Sequence, residues 1–166
     1  MTKNNTPDTK FHQLLQEQIR HEFTAVQQYT AIAAYFDNDD LPQLAEFFYR
    51  HAAEEREHAM KIVKYFIDRD YAVTIPGTDE VRNRFDTPRH ALALTLDLER
   101  TVTKQVSALT TAAREDGDHL DEQFMWWFLE EQREEEAVMT TLLNVAERAG
   151  DNLFDLEEFV ARDINS

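Results

Sequence analysis

The stretch from Leu44 to Phe66 reads LAEFFYRHAAEEREHAMKIVKYF. Leu44, Phe48, Ala52, Ala59, Ile62 and Phe66 recur at helical spacing and mark one apolar face, and Glu55 and His58 stand on that same face. The run Glu54-Glu55-Arg56-Glu57-His58 contains E-x-x-H. Residues three apart are neighbours on a helix, so the two donor side chains project together. A carboxylate aimed into a core is costly unless something compensates its charge.

The same anomaly recurs in three other segments. From about Asp8 to Phe36 the apolar positions are Phe11, Leu15, Ile19, Val26, Tyr29, Ala33 and Phe36, and Glu22 fills the gap at helical spacing. From about Arg89 to Glu115 they are Leu92, Leu96, Val102, Val106, Leu109 and Ala113, with Glu99 in register. From about His119 to Arg148 they are Phe124, Phe128, Val138, Leu142 and Val145, with Glu131 and Glu135 completing the alternation. Glu22, Glu55, Glu99 and Glu135 each lie near a helix midpoint. Four such groups at one level would repel one another or bind protons. A pair of metal ions is the simplest compensation.

Punctuation sets the boundaries. Asp8 or Thr9 can cap the first helix, Asp37-Asn38-Asp39-Asp40 stops it, and Asp40 followed by Pro42 starts the second. Gly117 separates the third helix from the fourth, and Gly150-Asp151-Asn152 ends the fourth before a short amphipathic tail, Leu153 to about Asp163. Between them, Asp70 to Pro88 carries Pro76-Gly77 and a strand-like Tyr71-Ala72-Val73-Thr74-Ile75. A helix of about 28 residues is roughly 42 Å long, and a stretched chain of about 19 residues spans roughly 60 Å. That connector therefore reaches from one end of a bundle to the other, while the short flanking connectors demand antiparallel neighbours. The expected fold is all-α: a four-helix bundle with one long crossover between the second and third helices and a short fifth helix, in one domain over residues 1–166.

The composition fits. With 166 residues, three glycines and four prolines, the chain is long enough for one substantial core and short of loops. It has no cysteine, which excludes disulfides and thiolate metal sites. Its formal charge of −16 disfavours nucleic acid as a partner and favours cations. No apolar stretch approaches the roughly 20 residues of a membrane span, so no membrane partner and a cytoplasmic location are expected.

Mostly carboxylate oxygens with one imidazole suit iron or manganese better than thiophilic ions. Glu55 would bridge, with Glu22 and His58 completing one ion and Glu99 and Glu135 the other. His51, one turn before Glu55, reads as an ordinary hydrogen-bonded histidine. His12, His21, His90 and His119 have no positional case for metal binding.

At these residues the chain resembles the ferritin family, and specifically the haem-free bacterial ferritins, over almost its whole length. The resemblance implies a ferritin-like bundle with a first iron site of Glu22, Glu55 and His58 and a second of Glu55, Glu99 and Glu135, with Gln132 close by. It also implies a third site of Glu54, Glu131 and Glu134, with Tyr29 and Trp127 as the aromatic residues beside the centre and Tyr29 among the catalytic ones. Bacterioferritins are similar too, but they carry a haem-ligating methionine directly after the bridging glutamate and a second E-x-x-H in the fourth helix. Here those places read Glu55-Arg56 and Gln132-x-x-Glu135. Haem is therefore not expected, and the second iron position is expected to be an oxygen-only, weaker site.

The implied function is iron storage. A di-iron centre would act as a ferroxidase, oxidising Fe(II) with O2 or hydrogen peroxide, and a 24-subunit octahedral shell would hold the ferric oxide mineral. The acidic corner Glu115-Asp116-Gly117-Asp118, with Asp121 and Glu122, resembles the region where ferritins form three-fold channels, although solvated helix ends explain it equally well. The alternative on the same bundle is a di-iron oxygenase or rubrerythrin-like peroxidase.

Overall fold

The computed structural model describes residues 8–166. Among them are four long helices, α1 Lys10–Asn38, α2 Pro42–Asp68, α3 Pro88–Asp116 and α4 His119–Ala149, and a short α5, Leu153–Phe159, which runs into a π-helical turn, Val160–Ile164. Local chemistry accounts for most ends. Thr9, Thr87 and Asp118 cap α1, α3 and α4 by accepting from the backbone N–H of His12, His90 and Leu120 at 3.3, 3.2 and 2.9 Å. Gly117 ends α3 with φ of +77°, a left-handed conformation that costs glycine little.

The start of α2 departs from the sequence reading. Asp40 takes a left-handed φ of +58° and does not cap the helix; Leu41 occupies the cap position, with no side-chain hydrogen bond, ahead of Pro42. The cap comes from a distant part of the chain. Both carboxylate oxygens of Glu157, on α5, accept from the backbone N–H groups of Gln43 and Leu44 at 2.9 Å each. An anion at a helix N-terminus satisfies orphan donors and opposes the helix dipole, so this contact both caps α2 and docks α5. The side-chain amide of Asn165 adds a 2.9 Å bond to the carbonyl of Gln43.

The long connector is extended, but no strand forms among the described residues. Side chains of α1 stand in for a partner strand. Gln16 donates to the carbonyl of Thr74 at 2.6 Å and accepts from its N–H at 3.0 Å; Gln28 makes the same pair with Arg82 at 2.8 and 2.9 Å. Between them Thr24 accepts from the N–H of Asp79, and Arg20 pairs with its carboxylate. Within the strand-like run Thr74 therefore finds its backbone partner in the amide of Gln16, not in a sheet, and further along the connector Arg82 finds its own in Gln28.

The apolar core is in two parts. One end packs Tyr29, Ile32, Phe36, Leu44, Phe48, Leu92, Leu142 and Leu156; the other packs Phe11, Leu15, Ile19, Ile62, Phe66, Val106, Leu109 and Phe128. The fully buried face of α4 is rotated from the expected one. It runs Asp121, Met125, Phe128, Gln132, Glu135, Met139, Leu142 and Ala146, while Phe124, Val138, Val145 and Glu131 are only partly buried. The apolar surface of α4 is wider than one stripe, and packing selects its centre.

The acidic corner holds this end of the bundle together. Asp116 accepts from the N–H of Phe11, Asp118 pairs with Arg69, and buried Asp121 accepts from the hydroxyl of Tyr65. Among the described residues no helix is long and apolar enough to cross a membrane.

Replacing Glu157 with Ala should lower stability by about 1 kcal/mol, the usual worth of an N-cap, and hence the melting temperature by about 2–4 °C in a domain of this size. Thermal denaturation of the metal-free protein checks this, with Glu157→Gln, which keeps one acceptor oxygen, recovering part of the loss.

Candidate metal centre

Between the two apolar halves lies a polar layer drawn from all four long helices. Glu22 on α1, His51, Glu55 and His58 on α2, Glu99 on α3, and Gln132 and Glu135 on α4 are all buried. Helical periodicity alone puts Glu55, His58 and His51 on one face of α2, at offsets of three and four. The antiparallel helices then bring the remaining carboxylates to the same level.

Glu55 is at the middle. Its Oε2 lies 3.2 Å from Nδ1 of His58, and its Oε1 lies 3.5 Å from Nε2 of His51. Three groups have ligand atoms all within 4.8 Å of one another: Glu22, Glu55 and His58; His51, Glu55 and Glu135; and His58, Glu131 and Glu135. Nε2 of His51 also approaches Glu99 at 3.4 Å and Glu135 at 3.3 Å. Supporting bonds orient the acids. Gln18 donates to Glu22 at 2.8 Å, Tyr29 donates its hydroxyl proton to Glu99, and Gln132 donates to Glu99 at 3.0 Å.

Burial sets the electrostatics. It pushes the carboxyl of Glu22 well above its ordinary range, helped by the adjacent charge of Glu55. Burial likewise raises Glu55 to about 8, with Glu99 adding to the shift, and Glu135 to about 7. Burial would raise Glu99 too, but hydrogen bonds from His51, Tyr29 and Gln132 hold it below the usual carboxylate value. Burial disfavours a charged His51, yet Glu54, Glu99, Glu135 and Glu55 overcome it and hold the imidazolium well above its ordinary range.

This layer fits metal cations. Oε2 of Glu22 is buried and has no hydrogen-bond donor among the described residues, and the acid faces another acid. Only a shared proton or a cation can compensate that pair. Oxygen donors mixed with imidazole are the set that suits iron.

The expected residues separate into centre and periphery. Glu22, Glu55, His58, Glu99, Gln132 and Glu135 converge. Glu131 is half-buried, with one oxygen 3.8 Å from Nε2 of His58, while Glu54 and Glu134 are exposed. Trp127 is 36% exposed and is not a core residue; it meets the ring of His58 edge-on, with centroids 5.3 Å apart. Tyr29 is buried and acts through its hydroxyl. Gln18 escapes the sequence reading, whereas His51, read there as an ordinary hydrogen-bonded histidine, does bond to Glu99 but sits inside the centre. Gln18 sits one turn before Glu22, and His51 lies four residues before Glu55, so helical offset from an identified acid was the available signal for both.

Residues 12–149 match the family described as Ferritin-like domain. The chain belongs to the ferritin family. This ferritin is 64% identical over 165 residues to ferritin BfrB of Mycobacterium tuberculosis, covering 99% of this chain and 91% of that protein; in one strain the relative is called bacterioferritin BfrB. It is 35% identical over 138 residues to a bacterial non-heme ferritin of Staphylococcus aureus, covering 83% of each. Its fold superposes on an open-pore ferritin from the hyperthermophilic archaeon Archaeoglobus fulgidus with a TM-score of 0.88 at 26% identity, covering 92% of this chain and 95% of that one.

The metal-free ferritin should become less stable as pH rises. The folded carboxyls of Glu55 and Glu135 are raised above the value of 4.5 they have when unfolded. Their contribution is therefore complete below about pH 4.5 and is lost as pH climbs through about 7 and then about 8. His51, raised in the folded state, adds to the same trend. Melting temperatures of the metal-free protein between pH 4.5 and 8 should fall, less steeply in Glu55→Gln, and the fall should shrink when Zn²⁺ is bound. A flat profile would contradict the converged cluster.

Proposed function

We propose that this ferritin stores iron: it oxidises Fe(II) to Fe(III) at a paired site inside each subunit and holds the product as a ferric oxide mineral within a shell of 24 subunits. The carrying observation is the position of Glu55, with one oxygen turned to His58 and the other to His51, so that two donor groups share it. Fe(II) is the substrate of such a site. Glu22, Glu55 and His58 bind one ion, and Glu55, Glu99 and Glu135 the other. Anionic oxygen donors favour Fe(III) over Fe(II), which lowers the cost of oxidation.

The redox balance is simple. Two Fe(II) ions give one electron each, which with two protons reduce O2 to hydrogen peroxide or peroxide to two waters. Tyr29, bonded to Glu99, keeps that carboxylate ionised and oriented. Glu54, Glu131 and Glu134 form the outward continuation of the site and give the product a route away from the centre. Its ligand atoms come closest through Glu131, beside His58.

A haem-free subtype is supported by Arg56 in the place of a haem-ligating methionine and by the single E-x-x-H. Assembly is supported by large apolar side chains left on the surface of one chain, among them Phe154, 88% exposed, with Trp126 and Ile67. The formal charge of −16 suits a cation store and not a nucleic-acid partner, and we place the protein in the cytoplasm.

The test is anaerobic addition of Fe(II) to the assembled protein, followed by O2. Hundreds of irons should be oxidised and kept soluble per shell; turnover of a few, with the rest precipitating, would favour an oxygenase or peroxidase instead. Replacing Glu55 with Ala should abolish rapid oxidation, measured by stopped-flow absorbance, because both positions lose a ligand. Apo stability should hold or rise, since a buried carboxyl that must take up a proton to fold at neutral pH is removed. Wild-type rates in that variant would defeat the bridging role.

A further inference from the structure

We propose that His51 supplies a nitrogen ligand to the second metal position, beside Glu55, Glu99 and Glu135. The inference rests on the paired-site reading above and names a ligand which that reading omits.

The first argument is distance. Nε2 of His51 lies 3.3 Å from Glu135, 3.4 Å from Glu99 and 3.5 Å from Glu55. Nε2 bonds Glu99 when it carries a proton, but a single N–H can serve only one acceptor well, so three carboxylates crowd a nitrogen that can satisfy one of them. Donors held at about 2.1 Å around one ion in a tetrahedron are about 3.4 Å apart, and the ligand atoms of His51, Glu55 and Glu135 all lie within 4.8 Å of one another.

The second argument is the far side of the ring. Nδ1 lies 3.4 Å from a carboxylate oxygen of Glu54. A carboxylate can only accept, so when the imidazolium gives up one proton Glu54 keeps the one on Nδ1 and leaves Nε2 for a cation. Ligating imidazoles characteristically give their other ring N–H to a carboxylate, which fixes tautomer and orientation.

The third argument is rigidity. His51 is 2% exposed. Tyr29 meets its ring edge-on with centroids 4.5 Å apart, and Phe47 stacks on it at 5.7 Å and 11°. The ring is held with Nε2 directed at the carboxylates. Gln132, by contrast, is turned to donate its amide to Glu99. The second position thus has one imidazole and three carboxylates, and Glu55 joins two positions that each carry one histidine. Their affinities should be closer than an oxygen-only second position would allow.

Zn²⁺ is the probe, with two readouts independent of oxidation. In crystals of the assembled wild-type protein soaked in Zn²⁺, both positions should fill, with Nε2 of His51 about 2.0–2.1 Å from the second ion. In calorimetry, wild type should bind two ions of similar affinity per subunit. His51→Gln, which keeps a polar side chain against Glu99, should weaken the second by more than about 100-fold, beyond the 10–100-fold typical of losing an outer partner, and spare the first. A second ion held by Glu55, Glu99 and Glu135 with Nε2 more than about 3 Å away, or His51→Gln binding both ions within threefold of wild type, would overturn the proposal while leaving the paired site standing. No ion at Glu22, Glu55 and His58 in wild type would overturn the paired-site reading and this proposal together.

Discussion

Four carboxylates brought to one level inside a bundle is the constraint around which the rest of the chain is organised. Each is buried, and desolvation works against every one that is ionised. The chain meets this with a polar layer: Gln18 on Glu22, Tyr29 and Gln132 on Glu99, and the His51 ring among Glu55, Glu99 and Glu135. The compensation is incomplete. Glu22 faces Glu55 with an oxygen that has no donor among the described residues, and Glu55 and Glu135 are pushed up toward and beyond neutrality. A site that is short of positive charge is one that binds cations, so the same imbalance that costs stability is the source of the proposed function.

The apolar packing carries that cost. Two separate clusters, one at each end of the bundle, hold the helices at fixed spacing above and below the polar layer. The long helices give the layer its position, since their midpoints coincide whichever way each runs. The periphery locks the ends. Glu157 caps α2 from α5, Asp116 satisfies the start of α1 from the end of α3, and Arg69 ties α2 to Asp118 and Asp121. None of these contacts touches the metal centre; they keep helix ends from fraying and so protect its geometry.

Charge is distributed by role. Outward-facing Glu54 and Glu134 and half-buried Glu131 lie next to the buried donors, which gives a gradient of carboxylates from solvent to centre. The partly exposed Trp127 meets the ring of His58 edge-on and lies under the ammonium of Lys61 at 4.3 Å. The proposed assembly adds what a single chain lacks, an enclosed volume for the mineral.

Periodicity made much of this legible in the sequence alone. Apolar stripes at helical spacing, with Glu22, Glu55, Glu99 and Glu135 inside them, determined the four helices, the antiparallel topology and the long crossover, because all three follow from local geometry and chain length. The E-x-x-H of α2 determined that Glu55 and His58 share one face, for the same reason. Contacts between distant residues could not be read that way. The cap on α2 depends on Glu157, more than a hundred residues away, and the long connector is held at Thr74 by Gln16 and at Arg82 by Gln28 in place of a sheet. The rotation of α4 was decided by which part of a broad apolar surface the other helices cover. His51 is the clearest case. Its offset from Glu55 was visible, but an imidazole four residues from a glutamate is common on any helix. Only the packing of α3 and α4 against α2 brings Glu99 and Glu135 to the same nitrogen, because which side chains share one buried point is a property of the assembled bundle and not of any segment within it.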